Sequence, residues 1–303
     1  MSKRDPVVAI ICSDLHLQLR PPLAREEEPD WLAAMDRPLA EIRELVRKHK
    51  AIVLYAGDIF DRWNSPAELI NWALEHLPSG WSIPGNHDLP NHRLELVHKS
   101  AYGTMVRAGK LNDLSNKGLQ IRNTLYIYGF PFGSVPKFER PKHKGLVIGL
   151  VHEYLWQAGA SYPGAPKEQK LSKVAKRFKP FDVVVVGDNH IGFKRKLKGG
   201  TVVLNCGTVM RRKSNEAHYE PQCGLIHESG KVSVHKFDIS KDIITETVTE
   251  KEEKELKDME DLVDGLSGLE ASDLSFRDSI ARAMKHKAVR PLVKQIILEA
   301  LDE

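Results

Sequence analysis

The reactive side chains of this protein fall into five short groups. They are Asp14-x-His16, Gly57-Asp58-x-x-Asp61, Gly85-Asn86-His87-Asp88, His152 and Gly187-Asp188-x-His190. Together they offer carboxylates, imidazoles and one amide, with no thiolate. Oxygen-plus-imidazole sets suit Mn, Fe or Zn and do not make a structural zinc knot. The groups supply more ligands than one tetrahedral ion takes, so a two-metal site is the economical reading. Each group alone is weak evidence: a D-x-H after a strand is more often a cap beside a surface histidine, and a G-D pair is a turn. Unrelated turns do not explain all five, each placed directly after an apolar run.

If the groups act together, the fold must gather residues 14 to 190, and the apolar runs say how. Residues 7–12, 51–55 and 183–186 are short, continuous and rich in β-branched side chains, the pattern of strands covered on both faces. Residues 31–48 and 66–77 carry a helical period, with Pro66 suited to a first turn, and 81–84 form a short strand. This alternation predicts a parallel sheet whose strand ends project their polar residues at one edge. Further on, 92–108 reads as a helix broken near Gly103, 119–129 and 145–151 as strands, and 167–178 as a helix. Residues 192–197 with 201–205, and 224–227 with 231–237, read as hairpins. From about residue 240 the chain turns to charged helices over 250–266, 273–286 and 291–301, the last two with one-sided apolar stripes. The expected organisation is a catalytic domain over 1–240 and a helical C-terminal extension over 241–303.

At 303 residues, 41% hydrophobic and 28% charged, the chain is composed for a folded core rather than for disorder. No apolar run reaches the ~20 residues of a membrane span, and the opening run is too short for a signal peptide. Cys12, Cys206 and Cys223 lack C-x-x-C spacing, which predicts buried thiols in a reducing, cytoplasmic setting. A net charge of +4 permits a polyanionic partner without requiring one.

In this order and spacing the five groups resemble the calcineurin-like metallophosphoesterase superfamily, over residues 7 to about 212. The resemblance implies an α/β fold, a metallophosphoesterase-type β-sandwich core flanked by helices, to which the stretch after residue 240 is a short helical extension. It implies one divalent ion held by Asp14, His16, Asp58 and His190, and a second held by Asp58, Asn86, His152 and Asp188, with Asp58 bridging. The family usually has histidine where this chain has Asp188. An anionic oxygen there moves the expected metal towards Mn²⁺ and away from Zn²⁺, with Mg²⁺ and Fe²⁺ as alternatives. The implied reaction is in-line attack on phosphorus, with His87 protonating the leaving oxygen; Asp88 either orients that imidazole or serves as a helix N-cap or turn residue.

The fold alone does not choose the phosphoester. Ser13-Asp14-Leu15-His16, Gly57-Asp58-Ile59-Phe60-Asp61 and Pro84-Gly85-Asn86-His87-Asp88 most resemble the SbcD-type DNA-repair nucleases, including phage-like relatives. Basic residues flank the groups: Lys194, Arg195, Lys196 and Lys198, then Arg211, Arg212 and Lys213, and also Lys137, Arg140, Lys142 and Lys144. Lys194, Arg195, Arg211 and Arg212 are the expected contacts to a phosphate backbone, although a solvated face explains any one cluster equally well. DNA is thus the expected substrate, and an SbcC-type ATPase docked on the C-terminal helices is the partner that the resemblance implies. No membrane partner is expected, and a homodimer stays open. Two rival readings remain. One is a phosphomonoesterase or small-substrate phosphodiesterase acting on nucleotides or phosphoproteins. The other is a binding protein with a degenerate site, which the presence of Asp14, His16, Asp58, Asn86, His87, His152 and His190 disfavours.

Overall fold

Val183 to Val186 are all buried because alternate residues of their strand face two different cores. Val183 and Val185 pack in the cluster of Ile11, Leu54, Ile148 and Leu204, whereas Val184 and Val186 pack with Val151, Phe178 and Phe181. The computed structural model of the chain describes residues 5–121, 124–135, 138–140, 145–162 and 164–245.

The strands are β1 (Val7–Cys12), β2 (Ile52–Tyr55), β3 (Gly80–Ser82), β4 (Leu111–Asp113), β5 (Gly118–Ile121), β6 (Leu125–Phe130), β7 (Leu146–His152), β8 (Val183–Gly187), β9 (Phe193–Lys196), β10 (Val202–Asn205), β11 (Gln222–His227) and β12 (Val232–Lys236). The α-helices are α1 (Trp31–His49), α2 (Ala67–His76), α3 (Ala101–Arg107) and α4 (Leu171–Val174). The strands form two six-stranded sheets, ordered β12-β11-β1-β2-β3-β4 and β5-β6-β7-β8-β10-β9. In the first, β1 to β4 run parallel, β11 pairs antiparallel with β1, and β12 pairs antiparallel with β11. In the second, β6, β7, β8 and β10 run parallel between antiparallel edges β5 and β9.

Ala9, Ile11 and Leu54 of the first sheet meet Ile127, Ile148 and Leu150 of the second in the core between the layers. The other face of the first sheet, with Ile10, Val53 and Tyr55, is covered by Met35, Leu39 and Ile42 of α1. Asp30 starts α1 by accepting the Ala33 N–H on its side chain at 2.9 Å. Cys12, Cys206 and Cys223 are buried thiols in these cores, as their spacing predicts.

The result is the expected α/β sandwich, with corrections. The five groups do not leave one parallel sheet: β1, β2 and β3 belong to one layer, β7 and β8 to the other. The single strand expected over 119–129 is the antiparallel pair β5 and β6. The break in 92–108 falls at Ser100 rather than Gly103, because Ser100 Oγ accepts the Gly103 N–H at 3.0 Å and caps α3. Residues 167–178 fold as two 3-10 turns around the short α4. The helices expected after residue 250, together with Lys137, Lys142 and Lys144, lie outside the described residues. Among the described residues no helix is long and apolar enough to cross a membrane.

Candidate metal centre

Strands β1 and β2 are paired in register, and the pairing continues past their ends. Asp14 N–H donates to Gly57 O (3.1 Å), His16 N–H to Asp58 O (3.0 Å) and Leu17 N–H to Ile59 O (2.9 Å). These bonds bring Asp14 and His16 against Asp58. The backbone is strained in doing so: Asp14, His16, Asp58 and Asp188 have φ of 53°, 45°, 51° and 83°. Residues with a Cβ rarely adopt this left-handed region, and such strain, about 1–3 kcal/mol per residue, clusters at functional sites. Gly57 has φ 95°, and a Cβ there would lie 2.1 Å from His152 Nδ1, so its lack of a side chain admits the imidazole from the other sheet.

The ligand atoms converge in three overlapping triads: Asp14, His16 and His190; His16, Asp58 and His87; and Asp14, Asp58 and His152. Within each triad the atoms lie within 4.8 Å of one another. His16 Nε2 and His190 Nε2 approach to 3.0 Å, a spacing at which the two nitrogens share at most one proton. Asp58 Oδ2 stands 3.7 Å from His16 Nε2 and 3.5 Å from His152 Nε2. His152 Nδ1 is set 2.6 Å from Ala56 O, which fixes the ring as a donor there and turns Nε2 towards Asn86 Oδ1 at 3.1 Å. Orienting an imidazole through its far nitrogen is the usual support of a metal-binding histidine. Asp14 Oδ1 accepts the Asp188 N–H (2.9 Å), while Asp14 Oδ2 is buried without a hydrogen-bond partner. A buried, unpartnered carboxylate oxygen beside imidazoles and other carboxylates fits a divalent cation.

The electrostatics agree. Burial, and then Arg212, hold His16 down to about 4, so its nitrogen lone pair is available at neutral pH. Burial and the neighbouring His16 hold His190 well below its ordinary value. Burial and the like charge of Asp58 push Asp14 up to about 7. Burial works against the His152 cation, yet Asp58, Asp188 and Asp14 together raise it to about 10. Asp58 goes the other way: in spite of burial, His152, His16 and His87 keep it ionised. The cluster thus carries an excess of negative charge that a proton on His152 offsets, and a cation can take that role.

Asp188 enters both through its backbone and through its charge, which helps to raise His152. Its N–H binds Asp14, and its carboxylate is in none of the three triads among the described residues. His87 N–H donates to Asp58 Oδ1 (3.0 Å), and His87 Nδ1 lies 2.6 Å from the carbonyl oxygen of Asp61. The orienting role expected of Asp88 therefore belongs to that carbonyl. Asp88 is fully buried and accepts the N–H groups of Gly85 (3.0 Å), Phe60 (3.1 Å) and Ile59 (3.2 Å), locking the two ligand loops to each other.

The expected substrate contacts divide. Arg211 is buried and its guanidinium is spent on Asp242 (3.1 Å) and the Ala217 carbonyl (2.8 Å), so it is a structural residue. Arg25 (3.2 Å) and Arg37 (3.0 Å) bind the same Asp242, and the Thr245 N–H donates to Ala24 O, so residues 242–245 are tied to residues 24–37. Arg212 is turned onto Asp61 and Gln18. Lys194 donates to Val232 O (3.2 Å), and Lys194, Arg195 and Lys196 line the exposed edge strand β9, where charges also discourage edge-to-edge pairing. Arg140 pairs with Asp182, just before β8, at the end opposite the ligands. Residues 206–210 pack against the ligand loops, a contribution that sequence reasoning missed. There Thr208 Oγ1 donates to Asp14 O (3.0 Å), Ser13 Oγ to Gly207 O (3.3 Å), and Thr208 N–H to His190 O (3.2 Å). The available signal was Asn205-Cys206-Gly207 closing a further buried strand, as Gly57 and Gly187 close theirs.

The family model described as calcineurin-like phosphoesterase matches residues 8–192. Calcineurin-like phosphoesterase YfkN from Bacillus subtilis is 12% identical over 84% of this chain and 97% of its own, with a TM-score of 0.46. TT1561 of Thermus thermophilus is 14% identical over 76% and 99%, with a TM-score of 0.45. A Staphylococcus aureus protein assigned as a 5'-nucleotidase is 15% identical over 84% of this chain and 58% of its own, with a TM-score of 0.46. No curated protein matches the chain.

Proposed function

The chain belongs to the calcineurin-like phosphoesterase family, and on that basis we propose a phosphodiesterase that uses two divalent ions, foremost Mn²⁺, and cleaves DNA. The family makes it a metal-dependent hydrolase. The observation that carries the two-ion reading is that Asp14, His16 and Asp58 each belong to two ligand triads, while Asp14 Oδ2 has no other partner. Asp14, His16, Asp58 and His190 would hold one ion, and Asp58, Asn86, His152 and Asp188 the other. Divalent ions bound there supply a water acidic enough to attack phosphorus at neutral pH, and positive charge against the phosphoryl oxygens. His87, fixed through Nδ1 by the Asp61 carbonyl, holds on Nε2 the proton that the leaving oxygen takes up.

DNA is favoured by the likeness of the Asp14, Asp58 and Asn86 motifs to SbcD-type nucleases, and by Lys194 and Arg195 on the exposed edge strand. A helical extension over 241–303 that docks on an SbcC-type ATPase extends the same reading. The test offers metal-stripped protein Mn²⁺, Mg²⁺ or Zn²⁺ with end-labelled DNA beside bis-nitrophenyl and nitrophenyl phosphate. The expected result is Mn²⁺-dependent DNA cleavage that His87→Ala reduces ~10²–10⁴-fold while keeping bound metal. Ester hydrolysis with intact DNA would replace DNA by a small substrate, and no turnover of any phosphoester would remove the enzyme reading.

A further inference from the structure

Arg212 has the charge of a phosphate contact but the placement of a strut. Its backbone N–H is held by Glu216 Oε2 at 2.6 Å. Its guanidinium pairs with Asp61 Oδ1 and donates through Nη2 to Gln18 Oε1 at 2.8 Å, and its side chain is only 14% exposed. Three distant segments of chain, around residues 18, 61 and 212, therefore meet on one planar group.

Asp61, the residue so held, serves both kinds of imidazole in the site. Its carbonyl oxygen lies 2.6 Å from His87 Nδ1, and its Oδ1 lies 3.4 Å from His16 Nδ1. Its own N–H donates to Leu17 O (3.0 Å), in the same strand-end zipper that sets Asp14 and His16. Arg212 therefore sets the residue that orients the His87 ring and borders His16, whose Nδ1 has no hydrogen-bond partner. We propose that Arg212 is a positioning residue of the hydrolysis, clamping Asp61 so that His16 and His87 keep one mutual geometry. The inference rests on the phosphoesterase reading above. Both bonds leave from Nη2; a lysine could supply the charge, but its chain ends one bond short of the point that nitrogen occupies.

The test compares wild type, Arg212→Ala and Arg212→Lys as full-length, folded proteins in three readouts: kcat, KM, and the imidazole N–H spectrum of ¹⁵N-histidine protein without added metal. The His87 Nδ1–H signal is identified by its loss in His87→Ala. Removing a group that orients metal ligands typically lowers activity about 10–100-fold. The expected result is that fall in kcat for Arg212→Ala, KM within about twofold, and a shifted or broadened His87 signal. Arg212→Lys recovers at most about a few-fold of the lost kcat. A raised KM with unchanged kcat would make Arg212 a substrate contact, and an unmoved His87 signal would remove the positioning role; either overturns the proposal. If Arg212→Ala does not fold, Arg212→Lys carries the same readouts. If wild type hydrolyses no phosphoester, the function fails separately, and the His87 signal still decides whether Arg212 positions that ring.

Discussion

Gly85 places backbone where a side chain would strike the centre of the site, so Gly85→Ala is a one-carbon probe of it. Gly85 is not among the glycines with positive φ, so alanine meets no backbone penalty there and the effect is steric. The added Cβ would lie 2.1 Å from Asp58 Oδ1 and 2.6 Å from the Asp58 backbone nitrogen. Neither atom is the free end of a flexible chain. Asp58 Oδ1 also accepts the His87 N–H at 3.0 Å, so relieving the overlap moves the Asp58 carboxylate and His87 together. Opening the shorter contact to 3.0 Å takes a shift of about 0.9 Å, and a misplacement of ~1 Å costs about 10²-fold in rate. The expected outcome is turnover reduced at least ~100-fold and metal affinity reduced ~10–100-fold, with the fold retained. Mn²⁺-activation curves, bound-metal analysis and circular dichroism check each part. Gly109→Ala is the control: its φ is 73° with nothing within 4 Å, so it is expected to cost only about 1 kcal/mol of stability. Native turnover and metal content in Gly85→Ala would refute the placement of Asp58 at the centre.

Buried charge sets three further expectations. His152 and Asp14 are raised, to about 10 and about 7. Protonation therefore favours the metal-free fold, and this stability is lost as pH rises from Asp14's ordinary range to about 7, and from that of His152 to about 10. An ion that displaces those protons binds more tightly as pH rises, so the Mn²⁺-induced gain in Tm should widen from about pH 5.5 to about 8.5 in scanning calorimetry; a constant gain would contradict this. Asp88→Asn faces three N–H donors with one acceptor oxygen and should lower stability by ~2–3 kcal/mol in urea unfolding. Its pH–rate profile should keep the wild-type shape, because His87 is held by Asp61. Arg211→Met should cost ~1–3 kcal/mol, since Asp242 retains Arg25 and Arg37, with an unchanged KM for whichever phosphoester is hydrolysed; a raised KM would return Arg211 to the substrate.

The residues that converge in the three triads were legible in the sequence because each lies at or just after the end of an apolar strand, a local signal. Val183 to Val186 announce β8 by composition alone, and Gly187-Asp188-x-His190 follows at once. What lay beyond local reading was the layer to which each strand belongs. Strands β1 and β8 look alike in sequence, yet they sit in opposite sheets facing a shared core. The fate of the arginines was equally hidden. Arg211 and Arg212 are neighbours in sequence and both basic, but one bonds Asp242 and the other Asp61, partners 31 and 151 residues away. Asp88 misled for a related reason. It follows His87 in sequence, but its carboxylate turns back onto the 59–60 backbone, and the histidine finds a carbonyl instead.

Whether two ions share Asp58 is decided by anomalous diffraction at the manganese edge, from crystals of the full chain grown with Mn²⁺. Two peaks per chain are expected, both in contact with Asp58, one beside His16 and His190 and the other beside Asn86 and His152. A single peak, or two peaks that do not share Asp58, would contradict the two-ion centre.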